Sequence, residues 1–278
     1  MRLFLIITLT MCAFAANSVL TRAAVEGGHL GPTAFAIVRV AAGAIMLGAL
    51  VMWRGGALPL MRPTRVVGAF SLTVYMAGFS LAYLSLDAGL GALILFGVTQ
   101  ITLFAHSAMT GQRPDVRQLS GAAIAFSGLV LVLWPGAGSV TDPIGAGLMV
   151  LAGLGWAVYS IAGRGTADPL AASAANFILC LPLICLLLLL TGIETHADIT
   201  GVVLAVLSGA LTSGLGYALW YNVLRQIPGT TAAVVQLSVP VIAIVAGALL
   251  LGETISAKVI MASLLVLGGI GWAVTARR

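Results

Sequence analysis

Ten apolar runs, each close to the length a helix needs to cross a bilayer, take up most of this chain: about 3–21, 33–53, 64–84, 90–110, 117–135, 143–163, 169–191, 199–222, 230–251 and 256–275. At 1.5 Å of rise per residue, about 20 residues cover roughly 30 Å of hydrocarbon. In hydrocarbon every backbone N–H and C=O must be satisfied by protein, so only helices and closed barrels span a membrane. A barrel strand alternates in polarity over about ten residues, whereas these runs are continuous. The expected fold class is therefore an all-α membrane protein with ten transmembrane helices. Composition agrees: 60% of the 278 residues are hydrophobic and 8% are charged, against about 25% charged in soluble domains. So few charges cannot cover a water-facing surface. The net charge of +5 is thus no nucleic-acid signal, and the lipid bilayer is the expected partner.

The connectors are short and carry helix breakers, among them Gly27-Gly28, Gly31-Pro32, Gly55-Gly56, Pro59, Pro63, Arg113-Pro114, Pro135-Gly136, Asp142-Pro143, Asp168-Pro169 and Pro228-Gly229. Proline at the start of a helix matches its fixed φ and missing N–H. Arg2, Leu3 to Ile7 and Ala13-Phe14-Ala15 have the outline of a cleavable signal. The run continues to Thr21 and nine more follow, so an uncleaved first span is expected. Cys12, Cys180 and Cys185 all lie in apolar runs and are expected to be buried free thiols.

Lys and Arg accumulate on the cytoplasmic side of membrane proteins. With a cytoplasmic N-terminus, Arg2, Arg54, Arg62, Arg65, Arg113, Arg117, Arg164, Arg225, Arg277 and Arg278 fall inside, and only Arg22 and Lys258 fall outside. Glu26, Asp87, Asp142, Glu194, Asp198 and Glu253 fall outside. An even number of spans returns the C-terminus to the cytoplasm.

An internal repeat is also legible. A shift of 142 lays Phe14-Ala-Ala-Asn-Ser-Val-Leu-Thr-Arg22 on Trp156-Ala-Val-Tyr-Ser-Ile-Ala-Gly-Arg164. A shift of 141 lays Gly111-Gln-Arg113 on Gly252-Glu-Thr254, Arg117 on Lys258 and Gly128 on Gly269. Two separated windows agreeing on nearly one offset divide the chain into halves of five spans, 1–140 and 141–278. An odd number of spans inverts the second half relative to the first, the arrangement of proteins that alternate between two facing states.

No span interior contains Asp or Glu, although ion-coupled pumps keep such groups at membrane depth. A coupling carboxylate would have to come from a helix end such as Glu253, whose expected state, just past the Gly252 stop, is solvated. Arg39 is the one full charge inside a span, about 10 Å deep at 1.5 Å per residue. It fits two roles: holding a carboxylate or phosphate on a solute, or snorkelling to the interface. The fourth span carries Thr99, Gln100, Leu103, His106, Ser107 and Thr110 on one broad face, and the ninth carries Gln236, Ser238 and Pro240. A carboxamide in hydrocarbon must be hydrogen-bonded or face water, so Gln100 and Gln236 either line a cavity, the preferred reading, or join helices. His106, near the cytoplasmic end, fits a proton relay or a partly hydrated side chain.

Trp156 and Tyr159 share a helix face, Asn17 and Tyr159 are repeat mates, and Tyr75 is central in its span. All four are candidate walls for a solute with an apolar part, or ordinary packing. Trp220 and Tyr221, with Trp53, Trp134 and Trp272, sit near helix ends where an interfacial aromatic belt is expected. Pro240 removes a backbone hydrogen bond and predicts a kink in the ninth helix. The candidate set is thus Asn17, Arg39, Tyr75, Gln100, His106, Trp156, Tyr159 and Gln236 for binding, with Pro240 as the bend. It includes no catalytic residues, metal site or cofactor.

The run from Pro240 ending in Leu251-Gly252-Glu253, the glycine-rich tenth span and Tyr217-Ala-Leu-Trp-Tyr221 resemble the EamA branch of the drug/metabolite transporter superfamily across all ten spans. The first half departs from that pattern: Thr99 stands against Pro240 and Gln112 against Glu253. The resemblance implies a ten-helix inner-membrane carrier with a central cavity for small metabolites such as amino acids or nucleotide-type compounds, commonly moved outward. The rival classes are an intramembrane enzyme and a channel or scaffold. An enzyme would need a polar catalytic set at depth, and a channel rings of charge or carbonyls; neither pattern is present. The sequence leaves the oligomeric state open.

Overall fold

A computed structural model of the chain describes residues 2–110, 115–134, 141–163, 166–191, 196–227, 232 and 235–274. Arg113, Arg164, Glu194, Arg277 and Arg278, repeat positions Gly111 and Gln112, and the breakers Pro114, Pro135-Gly136 and Pro228-Gly229 lie outside the described residues. The described chain is helical: α1 Arg2–Val25, α2 Pro32–Trp53, α3 Pro63–Ala82, α4 Ala88–Met109, α5 Val116–Leu133, α6 Pro143–Gly163, α7 Pro169–Thr191, α8 Ile199–Leu224, α9 Ser238–Leu251 and α10 Ala257–Val274. Seven of the helices are long and apolar enough to cross a membrane, and α5, α9 and α10 are shorter apolar helices. No strand forms among the described residues; Leu30 and Ala197 make one isolated antiparallel bridge.

The helix starts follow from local chemistry. Proline opens α2, α3, α6 and α7, where its missing N–H costs nothing. Asp115 and Gln118 form a reciprocal capping box on α5. The Asp142, Asp168 and Asp198 carboxylates accept the backbone N–H of Gly145, Ala171 and Gly201, satisfying donors that a helix N-terminus otherwise leaves open. Asp87 makes no such bond at α4. The Ala88 N–H donates instead to Glu253 Oε1 at 2.7 Å, so α4 is capped from the end of α9.

This overturns the expectation of a solvated Glu253. Its side chain is 10% exposed and lies 3.8 Å from Arg22, which also reaches Asp87 at 3.6 Å. Burial raises the Glu253 pKa, against the opposing pull of the Ala88 N–H and Arg22. Gly252 makes the fold-back possible at a φ of 69°, where a Cβ would strain the backbone.

The helix contacts pair off across the two halves of the chain. α2 packs on α7 and α5 on α10; α3 packs on α6 as α1 does on α8; and α4 packs on α6 as α1 does on α9. Near Pro240 the helix is interrupted: Leu237 is a turn, and Pro240 falls in the first turn of α9. The proline has no N–H for the carbonyl of residue 236. Ser238 Oγ donates to the Val235 carbonyl beside the break.

The middle of α8, Ser208–Leu215, widens into a π-helix, a distortion frequent at functional sites. Gly209 lies there against α2, and a Cβ on it would collide with the Arg39 carbonyl oxygen. Cys180 is buried but Cys12 is exposed, on a face of α1 that the bundle leaves uncovered.

Two outcomes are expected. Gly209→Ala must push α2 from α8 and should cost about 1–3 kcal/mol, read as a lower thermal midpoint in detergent; an unchanged midpoint contradicts the close approach. Asp198 is held below the usual carboxylate range, first by the Gly201 N–H and then by His29, whose Nδ1 lies 2.7 Å away. A depressed acid stabilises the fold above its ordinary pKa, and that stability is lost as pH falls through the folded value. Asp198→Asn should therefore flatten the fall of the thermal midpoint on acidification.

Candidate functional site

Arg39, in the first half of α2, is fully buried. Its Nε donates to Ser213 Oγ at 2.8 Å, and Nη2 donates to the hydroxyls of Tyr75 and Tyr217, each at 3.2 Å. Tyr217 in turn donates to Tyr75 at 3.0 Å. The guanidinium carbon lies 4.8 Å from the centre of the Phe79 ring and 5.6 Å from that of Tyr75, contacts worth about 0.5–2 kcal/mol each. Nη1 has no hydrogen-bond partner. Among the described residues no carboxylate pairs with Arg39. The side chain runs inward rather than to the interface.

The π-helical segment of α8 supplies most of the polar network. Asn17 Oδ1 accepts from the hydroxyls of Ser208, Thr212 and Ser213, and its Nδ2 donates to the Thr212 carbonyl at 3.3 Å. Ser213 thereby links Asn17 to Arg39. The wider, i→i+5-bonded turn lets Ser208, Thr212 and Ser213 converge on one acceptor.

Beside this network lies a small cavity of about 10 Å³, lined by Phe14, Asn17, Ser18, Tyr75, Phe79, Leu95, Phe96, Trp156 and Tyr217. Its walls come from α1, α3, α4, α6 and α8. The volume is room for about one water, far below the roughly 300–1,000 Å³ of a typical ligand pocket. Phe14 sits edge-on to Trp156, Tyr217 and Trp220 at 5.6–5.8 Å. Trp156 stacks on Tyr159 at 5.4 Å, and its indole N–H has no partner. The polar groups here are rich in donors and hold no carboxylate.

Of the sequence candidates, Asn17, Tyr75 and Trp156 line this cavity, and Arg39 is bonded to its wall. Tyr159 is buried one layer away, between Trp156 and Tyr221. Gln100 and Gln236 are buried against each other, Nε2 to Oε1 at 2.9 Å, and are not among the described residues lining the cavity. His106 is half-buried near the end of α4, where its carbonyl accepts from the Thr110 N–H. Among the described residues no group of three or more His, Cys, Asp or Glu gathers to hold a metal ion.

Sequence reasoning missed Phe14, Ser18, Phe79, Phe96, Ser213 and Tyr217. A signal for Tyr217 existed: it follows Tyr75 by 142 residues, the offset already visible between Phe14 and Trp156. The aromatic-belt reading of Trp220 and Tyr221 is overturned, since they are 1% and 3% exposed. α8 turns both rings into the bundle, against Phe14 and Tyr159. Trp53, Trp134 and Trp272 do face outward.

Residues 143–275 match the EamA-like transporter family. An uncharacterised protein of Pseudomonas aeruginosa is 45% identical over 97% of this chain and 93% of its own. An uncharacterised transporter of Archaeoglobus fulgidus is 25% identical over 87% of this chain and 88% of its own. A probable amino-acid metabolite efflux pump of Escherichia coli is 24% identical over 75% of this chain and 76% of its own. A solved crystal structure that is 20% identical shares the fold, with a TM-score of 0.72 over 96% of both chains. On the family match and the relative aligned along nearly its whole length, the chain belongs to the EamA-like transporter family.

Proposed function

We propose that this multi-pass membrane transporter is an inner-membrane carrier that moves small organic metabolites outward by alternating access, with Arg39 holding an anionic group of the solute. The carrying observation is the Arg39 site. A buried cation with no carboxylate partner among the described residues, an Nη1 amino group left open and two tyrosine partners on a cavity wall is suited to accept an anion. An unpaired buried charge costs several kcal/mol, and a carboxylate would offset that cost. Tyr75, Trp156 and Phe14 suit an apolar or aromatic body beside the carboxylate. An amino-acid-like solute fits this chemistry, and the Escherichia coli relative bears an amino-acid efflux name.

Ten spans in two inverted five-helix repeats, 1–140 and 141–278, with both termini in the cytoplasm, complete the reading. The helix contacts that correspond between halves support it, as does the bonded pair Tyr75 and Tyr217, 142 residues apart. The Arg22, Asp87 and Glu253 cluster joins α1, α4 and α9 on the expected outer side. Arg54 pairs with Asp168 between α2 and α7 on the expected inner side. A closely packed centre between two ionic layers fits a state closed to both faces. With no acid inside a span, exchange or facilitated movement is the favoured mode.

In proteoliposomes, saturable uptake accelerated by solute on the opposite face is the expected behaviour. Flux without such stimulation points to a channel, and absence of flux with any library solute that binds overturns the carrier reading. Arg39→Gln should raise the half-saturating concentration of an acidic solute roughly 10- to 150-fold, the equivalent of losing one charged hydrogen bond worth about 1.5–3 kcal/mol. An unchanged value for a folded variant removes Arg39 from the binding site.

A further inference from the structure

A second buried arginine has no place in the site above. Arg65, the third residue of α3, is 5% exposed. Its Nη1 donates to the Ala172 carbonyl and to Asn176 Oδ1, and Nη2 to Thr64 Oγ1, all at 3.4 Å. Those are long beside the usual 2.9 Å or so, and Nε has no partner. No carboxylate pairs with it among the described residues.

The groups around it are also short of partners. Ser173 Oγ and the Tyr159 hydroxyl are buried without a partner at good hydrogen-bond geometry, and Tyr159 interacts weakly with Ser173, Asn176 and Arg65 beside it. Gly68 leaves the Asn176 amide just enough room, since a Cβ there would overlap it. The Arg65 guanidinium, two hydroxyls and a carboxamide form a cluster rich in donors, with no carboxylate paired to it among the described residues. An arginine fork matches a carboxylate.

The cluster is connected to the Arg39 site. Tyr221 stacks on Tyr159 at 5.6 Å, Tyr159 on Trp156 at 5.4 Å, and Trp156 meets Tyr75 at 5.2 Å. The Tyr75 hydroxyl then reaches Arg39 at 3.2 Å. Tyr221 is wedged against Gly163, and its hydroxyl donates to the Tyr159 carbonyl at 3.3 Å.

We propose that Arg65, Asn176, Ser173 and Tyr159 form a second anion-binding station, which takes the carboxylate of the solute near the inner end of the bundle before it passes the aromatic wall to Arg39. The station rests on the carrier reading for its role in transport, but its affinity for a carboxylate does not.

The test uses phenylacetate, a carboxylate on a flat apolar body, with the full-length protein. In lipid-free detergent, Arg39→Gln should leave weaker phenylacetate binding, and Arg39→Gln with Arg65→Gln should abolish it. In oriented vesicles, Arg65→Gln should raise the half-saturating concentration about tenfold on the inner face and leave the outer face unchanged; a merely structural role would alter both faces alike. Ser173→Ala removes one small hydroxyl that lacks a well-formed hydrogen bond, and Arg65→Lys keeps the charge without the fork, so both serve if Arg65→Gln does not fold. Each should weaken inner-face binding about threefold or more.

Wild-type inner-face values in both conservative variants overturn the station, as does Arg65-dependent binding of inorganic phosphate or anionic lipid to the exclusion of phenylacetate. Arg65-dependent binding without counterflow leaves the station standing and removes the carrier reading. Counterflow that is indifferent to Arg65 does the reverse.

Discussion

One buried charge organises the centre of this molecule. Placing the Arg39 guanidinium inside the bundle removes it from water, and no carboxylate in any span compensates. The structure answers with the Tyr75 and Tyr217 hydroxyls, Ser213 and the Phe79 ring. Charged hydrogen bonds recover about 1.5–3 kcal/mol each, and the open Nη1 leaves the account incomplete. Three demands follow from this arrangement. α8 must widen into a π-helix so that Ser213 bonds both Arg39 and Asn17. Gly209 must be small so that α8 can approach the α2 backbone. α3 and α8 must present their tyrosines at equal depth.

The ionic groups elsewhere are kept to the helix ends. Arg22 ties α1 to Asp87 and Glu253, His29 meets Asp198, and Arg54 meets Asp168. Between these layers the bundle is held by ring contacts, small residues and the buried hydrogen bonds of Arg39, Asn17 and the Gln100–Gln236 pair. Glu253 joins three roles in one side chain: helix cap for α4, partner of Arg22 and continuation of the α9 stop.

The gross architecture was legible because hydrocarbon leaves a chain few options. Run length, charge scarcity and proline-led starts mark out the helices, and α1 to α8 lie where the apolar runs predict them. Arg39, Asn17, Tyr75 and Trp156 were visible as candidates because each is polar or aromatic at depth, where such side chains are conspicuous. Gln100 and Gln236 were equally visible, and spacing alone could not say whether they would bond each other or face a cavity. Tyr217 and Ser213 were hidden in a glycine-rich stretch whose π-helical widening shifts the face each residue presents; a regular 3.6-residue period does not anticipate it. Trp220 and Tyr221 were misread as an interfacial belt because position along a helix does not reveal which side faces the bundle.

By itself, then, the sequence determined a helical membrane protein, its family resemblance and the scarcity of acids that leaves Arg39 without a counter-ion. These depend on composition and local order, which lipid converts directly into helices. Only the tertiary structure decided that Arg39 meets Ser213, 174 residues away, and that Arg65 meets Asn176, 111 residues away. It also decided that Glu253 caps a helix from the other half of the chain. Such pairings depend on how helix faces rotate against one another, and that rotation is set by the packing of every neighbour at once.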